Sequence, residues 1–293
     1  MQVISQTISR STGQDFSCVE QRAVGGGSIN QTLQIKGQCG RYFFVKLNTA
    51  SREEMFVAEA AGLQQLAEAK VIRIPTPICH GVSGAQSFLV LEHIALGGAS
   101  AGAQAQLGLQ LAALHACTAA QFGWKMNNTI GATPQMNSWN NDWVDFFRHQ
   151  RLGYQRELAI KNGCSEQLAD QCQQLMDQLE NYFQHYDPVA SLLHGDLWSG
   201  NVGFDENNAP VIFDPAVYFG DRESDLAMTE LFGGFSEEFY QAYQQVLPLD
   251  AGYSVRKHIY KLYHVMNHFN LFGGAYASQA QRIVEKLLIS PIK

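Results

Sequence analysis

Apolar positions alternate or cluster in short runs through the first third of the chain. TLQIKG (32–37) and RYFFVKLN (41–48) are rich in β-branched and aromatic residues and flank the turn-prone GQCG, which predicts a β-hairpin. The period then lengthens: in REEMFVAEAAGLQQLAEA (52–69), Met55, Ala58, Gly62, Leu63 and Leu66 recur at helical spacing. IPTPICHG (74–81) breaks that helix, and SFLVLEHI (87–94) reads as a buried strand. Beyond residue 95 helical texture takes over, in AQAQLGLQLAALHACT (103–118), NDWVDFFRHQRLGYQRELA (141–159) and SEQLADQCQQLMDQLENYFQHY (165–186). The expectation is an α+β chain of two lobes. Residues 1–95 would form a small β-rich lobe with one long helix, and 96–293 a larger, mainly helical one. The loose, glycine-rich EHIALGGASAG (92–102) would join them and suits a cleft.

Composition narrows the function. At 293 residues with 46% hydrophobic and 16% charged positions, the chain has enough apolar material for a sizeable core and is too apolar for a disordered one. Its net charge of −7 argues against nucleic acid as the main partner. The six cysteines form no CxxC pair, so neither a zinc ribbon nor a dithiol redox centre is expected. MQVISQTISRSTGQDF lacks the basic and apolar segments of a secretory signal, and no apolar run approaches a bilayer span, so a cytoplasmic protein with no membrane partner is expected.

The chemistry concentrates in LLHGDLWSGN (192–201). An aspartate, Asp196, followed five positions later by Asn201, on a loop leaving an apolar strand, can set a carboxylate against a substrate hydroxyl and an amide oxygen on a metal ion. VGFDENNAPVIFD (202–214) reads as two short strands around a polar turn, a hairpin that returns Asp214 beside Asn201. Together their hard oxygens can share Mg²⁺. Upstream, Lys46 lies on an apolar strand and could reach nucleotide phosphates. Glu59 on the following helix is the preferred partner for it, since apolar residues share its face, whereas Glu53 and Glu54 open the helix. VGGGSIN (24–30) could fold backbone amides over phosphates through Gly25, Gly26, Gly27 and Ser28, although Asn30 stands where GxGxxG would place its last glycine. Glu92 and Ile94 would present a backbone carbonyl and amide to adenine. His194 reads as a structural hydrogen-bonding residue, Asp225 as a helix N-cap, and Trp139, Trp143, Phe146 and Phe147 as a core-facing aromatic helix.

The order of glycine loop, strand lysine, helix glutamate, HxDxxxxN and strand aspartate resembles the protein-kinase-like superfamily. In detail, GGGSIN, FFVKLN, WVDFFRHQRL, HGDLWSGNVGF and DPAVYFGDRESDLAM are similar to the fructosamine kinase, or ketosamine 3-kinase, family, and they span nearly the whole chain. The resemblance implies transfer of the γ-phosphate of ATP, with Mg²⁺, to the sugar 3-hydroxyl of a ketosamine, free or on a glycated protein. Asp196 would orient the hydroxyl and accept its proton, Asn201 and Asp214 would hold Mg²⁺, and Lys46 would grip phosphate. Trp198, between Asp196 and Asn201, either covers the core or, if exposed, could stack on the sugar or its amine. The resemblance also suggests that Asp225 braces the loop. Pro215 and Ala216 follow Asp214 where protein kinases carry Phe-Gly, so no activation-loop phosphorylation is expected. Ser28 replaces a cysteine carried by some members of the family. Two alternatives stay open: a kinase for an aminoglycoside, choline or sugar hydroxyl, and an ATP-binding scaffold without catalysis. The scaffold's usual mark, loss of Lys46, Asp196 or Asp214, is absent. Oligomeric state is not legible.

Overall fold

The hairpin forms as its pattern predicts, and three more strands extend it. In the computed structural model, which describes residues 1–25, 29–100 and 102–289, an antiparallel sheet is built from β1 (Cys18–Ala23), β2 (Gln31–Gly37), β3 (Tyr42–Thr49), β4 (Pro77–Ser83) and β5 (Gln86–Glu92), in the order β1-β2-β3-β5-β4. The segment expected only to break a helix is therefore an edge strand. Pro77 is tolerated because it begins that strand, where the missing N–H interrupts no inner ladder. A helix that the sequence pattern did not suggest, α1 (Gln2–Thr12), covers one sheet face by burying Ile4 and Ile8 against Leu33, Ile35, Phe43, Val45 and Phe88. Since side chains alternate along a strand, Phe43, Val45 and Leu47 face this core and Lys46 projects to the opposite face. There α2 (Glu53–Glu68) buries the expected Met55, Ala58, Gly62, Leu63 and Leu66.

The chain divides into two compact units. The first comprises Met1–Ala103 and Gly200–Pro215, and the second Gln104–Ser199 and Ala216–Lys293. Residues 200–215 join the first unit through the predicted hairpin, in which Val202 pairs with Ile212 and Phe204 with Pro210. Its strand Val202–Asp205 also pairs with Leu96–Gly97.

The second unit is mostly helical. It contains α3 (Ala103–His115) from Gln104 onward, α4 (Trp143–Phe147), α5 (Tyr154–Lys161), α6 (Glu166–Asp177), α7 (Glu223–Leu231), α8 (Glu237–Val246), α9 (Tyr253–Phe272) and α10 (Tyr276–Ile289). The single helix expected over 141–159 is interrupted: a π-helical turn, Arg148–Gly153, separates α4 from α5. The buried Arg151 guanidinium stacks 4.6 Å from the Phe146 ring centroid and 4.0 Å from that of Tyr218. Trp143, Phe146 and Phe147 are core residues, whereas Trp139 precedes the helix and is 44% exposed. Among the described residues no helix is long and apolar enough to cross a membrane.

Ser165 caps α6 by accepting a hydrogen bond from the Leu168 N–H at 3.1 Å. Ser165→Ala is expected to cost about 1 kcal/mol of stability, read as a lower midpoint of chemical unfolding with kinase activity unchanged.

Candidate active site

Four predicted polar side chains converge within the first unit. The Lys46 ammonium lies 2.5 Å from Glu59 Oε1 and 2.5 Å from Asp214 Oδ1, with 4% of its side chain exposed. Burial alone would depress the Lys46 pKa, but the Asp214 and Glu59 carboxylates outweigh it and hold the ammonium well above its ordinary range. Glu59 is itself pushed upward by burial, with Lys46 opposing and Asp214 adding to the shift. Its place on the sheet-facing side of α2 explains why it meets Lys46, whereas Glu53 and Glu54 begin the helix.

Asp214 follows the hairpin with φ 58°, a left-handed conformation that costs energy in a non-glycine residue and is characteristic of functional sites. Its side chain is 44% exposed, so it can meet a ligand while holding Lys46. Asn201 is tied to the same turn: its backbone carbonyl accepts from the Phe213 N–H at 3.1 Å, and its Nδ2 donates to the Asp214 carbonyl at 3.4 Å. An amide oxygen and a carboxylate on one hairpin fit the hard-oxygen preference of Mg²⁺. Among the described residues no group of three or more His, Cys, Asp or Glu side chains is poised for a metal, so these two residues would be completed by water and phosphate oxygens.

The remaining nucleotide-site candidates are distributed as follows. Gly25 is exposed, with open space around its α-carbon, while Gly26, Gly27 and Ser28 lie outside the described residues. Asn30 Oδ1 accepts from Asn48 Nδ2 at 2.7 Å, anchoring the segment after the glycines to β3. Glu92 ends β5, and its carboxylate is held by Arg73 at 2.7 Å and Thr76 Oγ1 at 3.2 Å, which leaves its carbonyl as the group to consider for adenine. Ile94 is half-buried in the segment that follows.

Asp196 belongs to the second unit, on the loop after the strand Ser191–Leu193, which pairs with Tyr218–Gly220. That loop is pinned from below. Asp225 accepts backbone N–H groups of His194 at 2.7 Å and Gly195 at 2.8 Å, and its Oδ2 also lies 3.2 Å from His115 Nε2. Burial would raise the Asp225 pKa, but hydrogen bonding and charge from His115, with the Gly195 amide, outweigh it and keep the carboxyl below its usual range. Asp225 is thus not the expected N-cap. It lies inside the first turn of α7, whose N-cap position is Arg222, and it spends its carboxylate on the loop. His115 is a residue sequence reasoning missed, because an isolated histidine on an apolar helix carries no sign of a partner 110 positions away.

Gly195 has φ +84°, and a Cβ there would lie 2.0 Å from the Ala216 carbonyl oxygen, so two backbone segments outside the strands meet where only glycine fits. The Ala216 N–H donates back to the His194 carbonyl at 2.8 Å. His194 is fully buried, and its Nδ1 accepts from the Asp196 N–H at 3.3 Å, a structural use of the ring. Asp196 itself is half-buried, and Trp198 is 37% exposed.

The fructosamine kinase family model matches residues 1–290. The chain belongs to the fructosamine kinase family. A Synechocystis protein described as a probable ketoamine kinase is 48% identical over 288 residues, covering 98% of this chain and 96% of its own. The chloroplastic protein-ribulosamine 3-kinase of Arabidopsis thaliana is 42% identical over 269 residues, covering 91% of this chain and 82% of its own. The crystal structure of a candidate fructosamine-3-kinase from Haemophilus somnus superposes with a TM-score of 0.89 at 29% identity, covering 97% of this chain and 96% of that one. The family makes this protein a small-molecule phosphotransferase with ATP as co-substrate, on the protein-kinase-like fold shared with more distant small-molecule kinases.

Proposed function

We propose that this family member phosphorylates the sugar 3-hydroxyl of ketosamines, the fructosamine and ribulosamine adducts left by glycation of amines. The observation that carries it is the Lys46–Glu59–Asp214 cluster, a buried ammonium held by two carboxylates and suited to gripping phosphate, in a chain 48% identical to the Synechocystis protein described as a probable ketoamine kinase. Glu59 and Asp214 fix the Lys46 ammonium so that it meets phosphate without first having to be oriented. Asp196, on a loop whose backbone Asp225 immobilises, orients the attacking hydroxyl and accepts its proton. Asn201 and Asp214 would hold Mg²⁺, which when bound neutralises phosphate charge. A loose phosphoryl transition state asks the protein mainly for position and charge, which these residues supply.

Phosphorylation at C3 has a chemical sequel. The C2 carbonyl and C1 amine let the product tautomerise to an enaminol that expels phosphate from C3, and hydrolysis then frees the amine. All six cysteines are free thiols, which fits a reducing, ATP-supplied compartment such as the cytoplasm.

The test is an acceptor panel. ATP consumption is expected with synthetic fructosyl and ribulosyl amines and not with choline or an aminoglycoside, followed by slow release of inorganic phosphate and free amine. Turnover on choline or the aminoglycoside in place of ketosamines would replace this function with another small-molecule kinase activity. ATP binding with no turnover on any acceptor would favour the scaffold.

A further inference from the structure

A short hairpin of the second unit reaches the backbone behind the Asp196 loop. Its strands, Asn128–Ile130 and Thr133–Gln135, set Asn128 opposite Gln135, and both side chains are buried. Gln135 Nε2 donates to the Ala216 carbonyl at 3.1 Å and to Asn128 Oδ1 at 2.9 Å. Asn128 Nδ2 donates to the next carbonyl, that of Val217, at 2.8 Å. The Ala216 carbonyl is the group that stands against Gly195, the residue before Asp196. The hairpin therefore holds the wall on which the loop rests.

Donors behind the two amides lock each of them in one orientation. Tyr263, buried on α9, donates its hydroxyl to Gln135 Oε1 at 2.7 Å. Turning the Gln135 amide over would set its oxygen against the Ala216 carbonyl and Asn128 Oδ1, two acceptors. From the other side, Arg151 donates to Asn137 Oδ1 at 2.7 Å, and Asn137 Nδ2 donates to Asn128 Oδ1 at 2.9 Å. Asn128 Oδ1 thus takes two donors, and its Nδ2 is left to face Val217. Burial raises the Tyr263 pKa against the opposing Arg151 cation, and the charges of Tyr218 and Asp196 add to the rise, so the phenol stays a donor. Fully paired, such a buried chain admits one arrangement only.

We propose that Gln135 and Tyr263 are positioning residues for Asp196: Tyr263 orients the Gln135 amide, the amide holds the Ala216 carbonyl, and that carbonyl sets the Gly195 turn that aims the Asp196 carboxylate. The proposal rests on the reading of Asp196 as proton acceptor. Both side chains are about 2% exposed, too buried to touch substrate themselves. Asp225 grips the N–H groups of the loop, and Gln135 fixes the carbonyl it packs against. A reacting group displaced by about 1 Å can lose about 10²-fold in rate, so the wall matters to catalysis.

Gln135→Met keeps the side chain's volume and withdraws both donors. On the best acceptor of the panel above it is expected to lower kcat about 30-fold, with KM for ATP within about twofold of the parent. Tyr263→Phe removes one hydroxyl and is expected to lower kcat about fivefold, the worth of one neutral hydrogen bond, again without change in KM for ATP. Asn267→Ala is the control. Asn267, one turn further along α9, donates to the Ile130 carbonyl of the same hairpin at 3.4 Å and accepts from Gln155 at 3.2 Å, away from Ala216 and Val217. Its loss is expected to lower the unfolding midpoint and leave kcat unchanged, with kinetics taken on enzyme shown to be folded by near-UV circular dichroism. A kcat for Gln135→Met within about threefold of the parent overturns the positioning role. Equal kcat losses in Gln135→Met and Asn267→Ala overturn it too, as does a KM for ATP that rises in step with the loss of kcat. Should Gln135→Met fail to fold, Tyr263→Phe decides against the same control: an undiminished kcat overturns the role, and a loss absent from Asn267→Ala supports it. Asp196→Asn at parental kcat would remove the proton-acceptor reading and this role with it, whereas an inactive Asp196→Asn beside a fully active Gln135→Met removes the role alone.

Discussion

Asp196→Asn is expected to lower kcat on a ketosamine by about 10³-fold, with ATP affinity within about twofold of the parent. Asparagine keeps the size and the hydrogen-bonding reach of the side chain but cannot take the hydroxyl proton. The substitution isolates that function because the loop's shape is set elsewhere. Asp225 holds the His194 and Gly195 amides, Ala216 holds the His194 carbonyl, and the close approach at Gly195 leaves the backbone no room to relax. The proposed nucleotide groups Lys46, Glu59 and Asp214 belong to the other unit and keep their mutual bonds. Steady-state kinetics with calorimetric titration of ATP separates the two quantities. A kcat within about tenfold of the parent would exclude Asp196 as the proton acceptor, and a matching loss of ATP affinity would make it a nucleotide ligand instead.

Much of this arrangement was legible because it is local. The β2–β3 hairpin, α2 and the 202–212 hairpin each announce themselves by period and turn composition, and Lys46 and Asn201 inherit their positions from those elements. What escaped depends on distant partners. α1 buries only Ile4 and Ile8 in an otherwise polar stretch, too narrow a stripe to read as a helix without the sheet it covers. β4 is a strand because β5 offers it an edge, against the preference of its proline and glycine. Arg151 lies in a stretch of helical texture that carries no sign of its partners: it is buried between two rings, and one of them, Tyr218, comes from 67 positions downstream. Asp225 shows the limit clearly: its local pattern reads as an N-cap, only the resemblance suggested that it braces the loop, and the brace consists of bonds to backbone amides 30 and 31 positions upstream.

Lys46→Met is expected to separate the structural and chemical duties of the buried cation. Lys46 and Glu59 have side chains only 4% and 11% exposed, and removing one partner of a buried pair costs about 3–5 kcal/mol because the other charge stays desolvated. The half-exposed Asp214 adds less, since water screens it. Adding Glu59→Gln to Lys46→Met is expected to restore most of the lost stability by removing the stranded carboxylate, while activity stays down about 10³-fold in both variants for want of the phosphate contact. The pH dependence follows from the directions of the shifts. In the parent, the raised Lys46 pKa contributes stability that is complete below the ordinary lysine pKa and lost only as pH climbs through the folded value, so it is constant across the neutral range. In Lys46→Met, Glu59 loses the neighbour that opposed its rise. Its folded pKa then lies further above the unfolded one, about 4.3, and the native state binds the extra proton. Stability of the single variant should therefore fall as pH rises above that unfolded value, whereas the Glu59→Gln double variant loses this component. Denaturant unfolding of the three proteins across mildly acidic to neutral pH measures it, and parallel profiles for the single and double variants would show that Glu59 is not the charge Lys46 neutralises.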